Sequence, residues 1–306
     1  MYFSVYSFGV PFTVFLLSAH LTISEELGFC SLEKSRFARD VGGKKEPPTL
    51  YTSDDEVLDL SITTFDKTIL NSSISHMLQF YNHWCGHCRR FAPTYKTFAS
   101  SIKPWKKVVG VAALNCALDW NTPLCRLHGV NMVPTLVYYP RNTPNYLVSQ
   151  SLNIPKRTPD HLVDATTTLV VAEFNSQNYS DWPNLHYLTP SEDHVRLWLT
   201  APSRVEYMAL IFENNSTSNV GAQLILDLMN EDWIIVRRAL SNHHLANALG
   251  VTEFPGMVVF QRSRSYKPLY ISNMRNLLLS KLLLLKGLKQ EEATEPPQRT
   301  VTSFIA

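Results

Sequence analysis

Apolar and polar positions along the chain fall into alternating short runs and helical stripes. Met77 to Tyr81 is a short buried strand pattern, and the spacing of Phe91, Tyr95, Phe98 and Ile102 after it approximates a helical period. From Leu50 onward the same reading predicts strand, helix, strand, helix, a strand at Val108–Leu114, a helix near Asn121, a strand over Thr135–Tyr139 and a closing helix over Asp160–Ala172. Strands alternating with helices predict a central sheet covered on both faces. Composition turns to Asn, Ser, Asp and Pro between Glu173 and Pro190, which reads as a linker centred on 176–189. A second series follows, with a helix capped at Ser191 and running through Leu199, a strand at Tyr207–Glu213, a helix at Ala222–Met229, a strand at Trp233–Leu240, a helix at Asn242–Leu249 and a strand at Met257–Phe260. Val133-Pro134 in the first series precedes an apolar strand, the setting of a cis peptide at a strand entry, and Phe254-Pro255 in the second mirrors its position.

The chemistry lies between the strand ending at Tyr81 and the helix that follows it. Trp84-Cys85-Gly86-His87-Cys88 puts two cysteines, two residues apart, at a helix start, the spacing of a thioredoxin-like redox pair. Unpaired backbone N–H groups and the helix dipole stabilise an anion there, so the Cys85 thiolate becomes accessible near neutral pH. Cys88, one turn further in, is placed to attack a mixed disulfide on Cys85 and release the substrate. His87, if it carries a proton or donates a hydrogen bond, further favours the Cys85 thiolate. A haem-attachment motif would need His where Arg89 stands, and no second pair at ligand spacing supports a zinc site. Pro93, inside the following helix, is expected to kink it.

The 306 residues leave room for about two domains. With 28 basic against 26 acidic residues, a net charge of +2 and no long basic run, nothing points to nucleic acid. Residues 1–24 hold an apolar run, Val10–Leu17, followed by the small-x-small step Thr22-Ile23-Ser24, and read as a signal peptide ahead of an amino-terminal segment, 25–47. A secretory route permits disulfides and brings the sequons at Asn71, Asn178, Asn214 and Asn215 into reach of glycosylation. All five cysteines lie at or before position 125. Cys116 and Cys125 are close enough for a local structural disulfide, and Cys30 is left odd, free or intermolecular. The leucine-rich stretch Asn276–Leu288 is too short and too charged to span a membrane, and reads as a closing helix before a tail at 290–306.

Trp84-Cys85-Gly86-His87-Cys88, Phe91-Ala92-Pro93-Thr94-Tyr95-Lys96 and Val133-Pro134-Thr135 resemble a catalytic domain of the protein disulfide isomerases. Leu50-Tyr51, Ala112-Ala113-Leu114-Asn115-Cys116 and the nine-residue step to Cys125-Arg126 are similar, more narrowly, to the quiescin sulfhydryl oxidases, over about residues 48–288. The resemblance implies two tandem thioredoxin-like α/β domains: a redox-active one at 48–175 and one without cysteines at 190–289. It also implies an active Cys85–Cys88 disulfide beside cis Pro134 and a structural Cys116–Cys125 bond. The expected activity is disulfide exchange with reduced or misfolded secretory proteins in the endoplasmic reticulum, the Golgi or outside the cell. Re-oxidation would come from another protein, glutathione disulfide or a flavin module. The FAD of the family belongs to a helical module beyond this region, so no cofactor is expected in residues 1–306. The contrasting readings are a non-catalytic module that holds unfolded clients and a fragment of a full FAD-dependent oxidase.

Two departures from the family pattern bear on the chemistry. Gln79 stands where the family carries a buried glutamate, thought to take the proton from the second cysteine, and an amide cannot do so. His83 replaces the small residue or proline before the tryptophan and is expected to be exposed.

Overall fold

The computed structural model describes residues 30–32, 48–152, 157–177, 179–264 and 267–273. The segments read as signal peptide, closing helix and tail lie outside them, as does Asn178. Two compact units emerge, Met1–Asn178 and Tyr179–Ala306.

In the first unit the elements are β1 (Cys30–Ser31), β2 (Leu58–Leu60), α1 (Ile62–Ile69), β3 (Ser75–Tyr81), α2 (Gly86–Ser101), β4 (Val109–Asn115), α3 (Thr122–Leu127), β5 (Met132–Val133), β6 (Thr135–Tyr139), β7 (Gln150–Leu152) and α4 (Pro159–Gln177). Five strands form one sheet in the order β2-β4-β3-β6-β7. The pairs β2/β4 and β3/β4 are parallel, and β3/β6 and β6/β7 antiparallel. All seven residues of β3 are buried. That explains why its sequence runs apolar without alternation: a central strand covered on both faces needs no polar side. The Tyr95 hydroxyl on α2 lies 2.9 Å from the Met77 carbonyl and 3.0 Å from that of Ala112, fastening the helix to β3 and β4.

The helix α2 runs through Pro93 without a break. The linker expected from Glu173 is corrected at both ends. Helix α4 continues to Gln177, and Glu173 is buried, accepting from Ser75 Oγ at 2.7 Å, the Tyr138 hydroxyl at 2.6 Å and the Arg141 N–H at 3.0 Å. Beyond it, Trp182, Leu185 and Leu188 are core residues of the second unit. The polar composition of this stretch conceals three apolar anchors spaced three apart.

The second unit holds α5 (His194–Thr200), β8 (Tyr207–Glu213), α6 (Val220–Asp227), β9 (Ile234–Leu240), α7 (His244–Ala248), β10 (Gly256–Gln261) and β11 (Pro268–Asn273). Its sheet order is β11-β10-β8-β9, with β8/β9 parallel and both β10 pairs antiparallel. This repeats the order β7-β6-β3-β4 of the first unit. Where β2 flanks β4, the second unit has, among the described residues, an isolated parallel bridge from Tyr187 to Arg238 on β9. The cap of α5 is Asp193, not Ser191; its side chain accepts from the Arg196 N–H at 2.8 Å. Ser191 lies two residues too early, in the turn where Glu192 accepts from Thr189. Both Val133-Pro134 and Phe254-Pro255 are cis.

Candidate active site

Cys85 is the N-cap residue of α2, with extended backbone angles (φ −69°, ψ 121°), and its N–H bonds the Asn82 carbonyl at 3.1 Å. Gly86 and His87 open the helix, and Cys88 sits one turn along, fully buried. The loop before β6 closes over this end. Val133, whose bond to Pro134 is cis, brings its carbonyl oxygen to 3.8 Å from Cys85 Sγ. Trp84 flanks the pair and is 37% exposed. The structure therefore brings together Trp84, Cys85, Gly86, His87, Cys88 and Pro134 around one helix start.

The expected disulfide pairing at this site is corrected. Cys85 is bonded to Cys30, not to Cys88, with a Cα–Cα distance of 6.2 Å. Cys88 carries a free thiol. Cys30 is accordingly neither free nor intermolecular. The reason is β1, which pairs antiparallel with β5 so that Cys30 stands opposite Val133 and Ser31 opposite Met132. The Leu32 N–H extends the ladder to the Asn131 carbonyl at 3.2 Å. A strand laid along β5 delivers its cysteine to the sulfur beside Val133, and an odd cysteine count was the one trace of this in the sequence. Cys116 and Cys125 form the second disulfide, with a Cα–Cα distance of 5.9 Å, tying the end of β4 to α3.

Burial pushes the Cys88 thiol up to about 11, against partial relief from a backbone contact at Asn82 and the charge of Arg157. In this state Cys88 is a protonated, shielded thiol. Arg157, absent from the sequence reading, also lies over the Phe91 ring at 5.6 Å. The His87 ring accepts from Arg90: the guanidinium, which can only donate, is 2.8 Å from Nδ1. His83 is half-buried, its Nδ1 3.1 Å from Asn115 Nδ2, so it is less exposed than expected.

Beneath the pair, Gln79 is fully buried. Tyr51 donates its hydroxyl to Gln79 Oε1, and Gln79 Nε2 has no hydrogen-bond partner among the described residues. Burial, then the neighbouring Tyr95, Tyr81 and Cys88, drive the Tyr51 hydroxyl well above its ordinary range. Both side-chain polar atoms of buried Asn82 also lack partners among the described residues. Cys85 itself is 1% exposed, and the sulfur of Cys30 covers it. Among the described residues no group of three or more His, Cys, Asp or Glu could hold a metal ion, and no helix is long and apolar enough to cross a membrane.

Comparison with known proteins matches both halves of the chain to thioredoxin-like domains. Residues 56–159 match the thioredoxin family model and residues 188–288 that of the QSOX Trx-like domain. Sulfhydryl oxidase 1 of Cavia porcellus is 28% identical over 275 residues, 86% of this chain and 42% of that protein. Sulfhydryl oxidase 1 of Gallus gallus is 31% identical over 231 residues, 72% of this chain and 29% of that protein. The chain thus spans well under half the length of these relatives. The crystal structure of ERdj5 form II superposes with a TM-score of 0.51 at 15% identity, covering 78% of this chain and 30% of that one, a likeness of fold. With a thioredoxin match over the cysteine pair and a QSOX Trx-like match after it in sequence, the chain is similar to the thioredoxin-like region of the sulfhydryl oxidases.

Proposed function

We propose that this chain is a thiol–disulfide oxidoreductase of the secretory pathway that introduces or exchanges disulfides in reduced or misfolded proteins. Cys85 is the client-facing sulfur and Cys88 the resolving one. The observation that carries this reading is the placement of Cys85 at the N-cap of α2, 3.8 Å from the Val133 carbonyl, with the free, buried thiol of Cys88 one turn behind it.

In the oxidised pair a client thiolate attacks Cys85 Sγ; the Cys85–Cys88 bond breaks and Cys88 leaves as a thiolate, taking a proton. A second thiolate of the client attacks the client sulfur of the mixed disulfide, and Cys85 leaves as a thiolate held by the N–H groups at the helix start. Two client thiols become one client disulfide, and Cys85 and Cys88 end reduced. Trp84 gives the client an apolar contact, and Pro134 keeps the Val133 backbone beside the reacting sulfur. Glutathione disulfide, another protein disulfide or a flavin module returns the pair to the oxidised state. The Cys116–Cys125 bond has a structural part. The apolar run at Val10–Leu17 supports a signal peptide, and exposed Asn71, Asn214 and Asn215, together with Asn178, are the proposed glycosylation sites.

The test is thiol loss from a reduced unfolded protein, with the Cys85→Ser chain as control, with and without glutathione disulfide. Loss that requires both Cys85 and the glutathione couple is expected. Equal loss from the control would remove the exchange reading and leave a client-holding module in its place.

A further inference from the structure

The bond between Cys30 and Cys85 places a third cysteine on the reacting sulfur. Three independent features define that placement. Strand β1 occupies the backbone edge of β5, with Cys30 in register opposite Val133. Cys85 is shielded to 1% exposure, whereas Cys30 remains partly open to solvent. Cys88, the residue one turn from Cys85, is a thiol. A permanent structural staple would have no use for a displaced thiol within one helical turn of its sulfur.

We propose that Cys30 is a third redox cysteine, a tethered thiol that trades places with Cys88 on Cys85 so that the oxidised chain interconverts between two isomers of one disulfide. This rests on the reading of Cys85 and Cys88 as the exchange pair. In the closed isomer, the one seen here, Cys30 is bonded to Cys85 and Cys88 is reduced. Opening proceeds when the Cys88 thiolate attacks Cys85 Sγ; the Cys30–Cys85 bond breaks and Cys30 leaves as a thiolate, which takes up the proton that Cys88 gave up. One disulfide and one thiol stand on each side, so the step is redox-neutral and needs no oxidant. Closing is the reverse, with Cys30 attacking Cys85 Sγ and Cys88 leaving.

The geometry gives each isomer a distinct behaviour. In the closed form both the sulfur of Cys85 and the edge of Met132–Val133 are taken, so an extended client segment finds neither. The oxidising equivalent is kept but not offered. In the open form β1 loses its covalent hold, and a two-residue ladder is too short to persist by itself. Opening is slow near neutral pH, because a thiol at about 11 is thiolate in only roughly one molecule in ten thousand at pH 7.

The experiment is disulfide mapping of the full chain, oxidised with glutathione disulfide, quenched in acid, alkylated and digested. Two cross-linked peptides, Cys30–Cys85 and Cys85–Cys88, are expected from the wild type, with the closed-to-open ratio relaxing after a pH jump. Cys88→Ser, or Cys88→Ala should the serine variant misfold, should hold only the Cys30–Cys85 bond, and Cys30→Ser only the Cys85–Cys88 bond. Removing the tethered competitor should also raise the initial rate of client oxidation about threefold or more in Cys30→Ser. A wild type and a Cys88 variant that never yield the Cys30–Cys85 peptide would overturn the proposal. So would a wild type locked wholly in that bond, with no Cys85–Cys88 peptide on incubation with the glutathione couple. If both peptides form and interconvert while the Cys30→Ser chain oxidises no client, the isomerisation stands and the oxidoreductase reading fails.

Discussion

Tyr51 donates its hydroxyl to the side-chain oxygen of Gln79, in a buried pocket near Cys88. Gln79 holds the position of an acid without its chemistry. Its oxygen is occupied, its Nε2 is unpartnered among the described residues, and neither atom can take a proton from Cys88. Gln79→Glu should therefore speed resolution by Cys88. In a Cys30→Ser background, which keeps the tethered cysteine out of the assay, the lifetime of the Cys85 mixed disulfide should shorten by about tenfold or more. An unchanged lifetime would mean that water or another group already carries the proton.

The α/β order was legible because β3, β4 and β6 are compact apolar runs and α2 carries a helical apolar period, and the cysteine pair because its spacing and position are local. What stayed hidden depends on contacts distant in sequence. Strand β1 is two residues long with no period to detect, and its partner lies about a hundred positions away. β7 and β11 are edge strands whose exposed, mixed residues look like loop. Glu173 reads as linker by composition, yet in space it accepts from Ser75 on β3, from Tyr138 at the end of β6 and from Arg141 just after it. The roles of Cys30, Arg157 and Tyr51 at the site follow only from tertiary approach.

Cys88 offers a direct probe of the closed state. With burial holding its thiol up to about 11, native oxidised chain should be alkylated at Cys88 slowly at pH 7. Because only the thiolate reacts, the rate should rise about tenfold per pH unit as pH climbs toward that value. In urea the same residue should react as an ordinary thiol. A flat pH profile in the native chain would show that access, not protonation, limits the reaction.

Acid should unfold the first unit in a window set by two histidines. Burial lowers both His76 and His128 to about 4, opposed in His76 by a backbone hydrogen bond and in His128 by the charge of Asp66. The unfolded chain binds these protons near 6.5 and the folded chain does not until about 4. The neutral-histidine state is thus fully tolerated above about 6.5, and stability falls as pH drops from there toward 4. His76→Leu removes one of the two protons taken up on unfolding. Urea midpoints at pH 7, 6 and 5 should decline less steeply in the variant than in the wild type. Parallel declines would show that His76 does not take up its proton across this window.

Glu173 anchors α4 to the sheet and can be tested apart from any redox chemistry. Its Oε2 accepts from Ser75 and Tyr138, and its Oε1 from the Arg141 N–H. Glu173→Ala would remove the carboxylate acceptor from two buried hydroxyls, while the Arg141 N–H keeps its contact to Ser75 Oγ at 3.0 Å; Glu173→Gln keeps the shape and exchanges one acceptor for a donor. The cost should be about 3 kcal/mol for alanine, since each buried group left unsatisfied costs about 1–3 kcal/mol and neighbouring water offsets part of the sum. Glutamine should fall between alanine and wild type, because Tyr138 and Ser75 can turn their hydroxyls to accept but the Arg141 N–H cannot. Urea unfolding of the three chains should therefore rank wild type, glutamine, alanine in falling midpoint. A glutamine variant as weak as alanine would assign the anchor to the charge of the carboxylate and not to its three acceptor contacts.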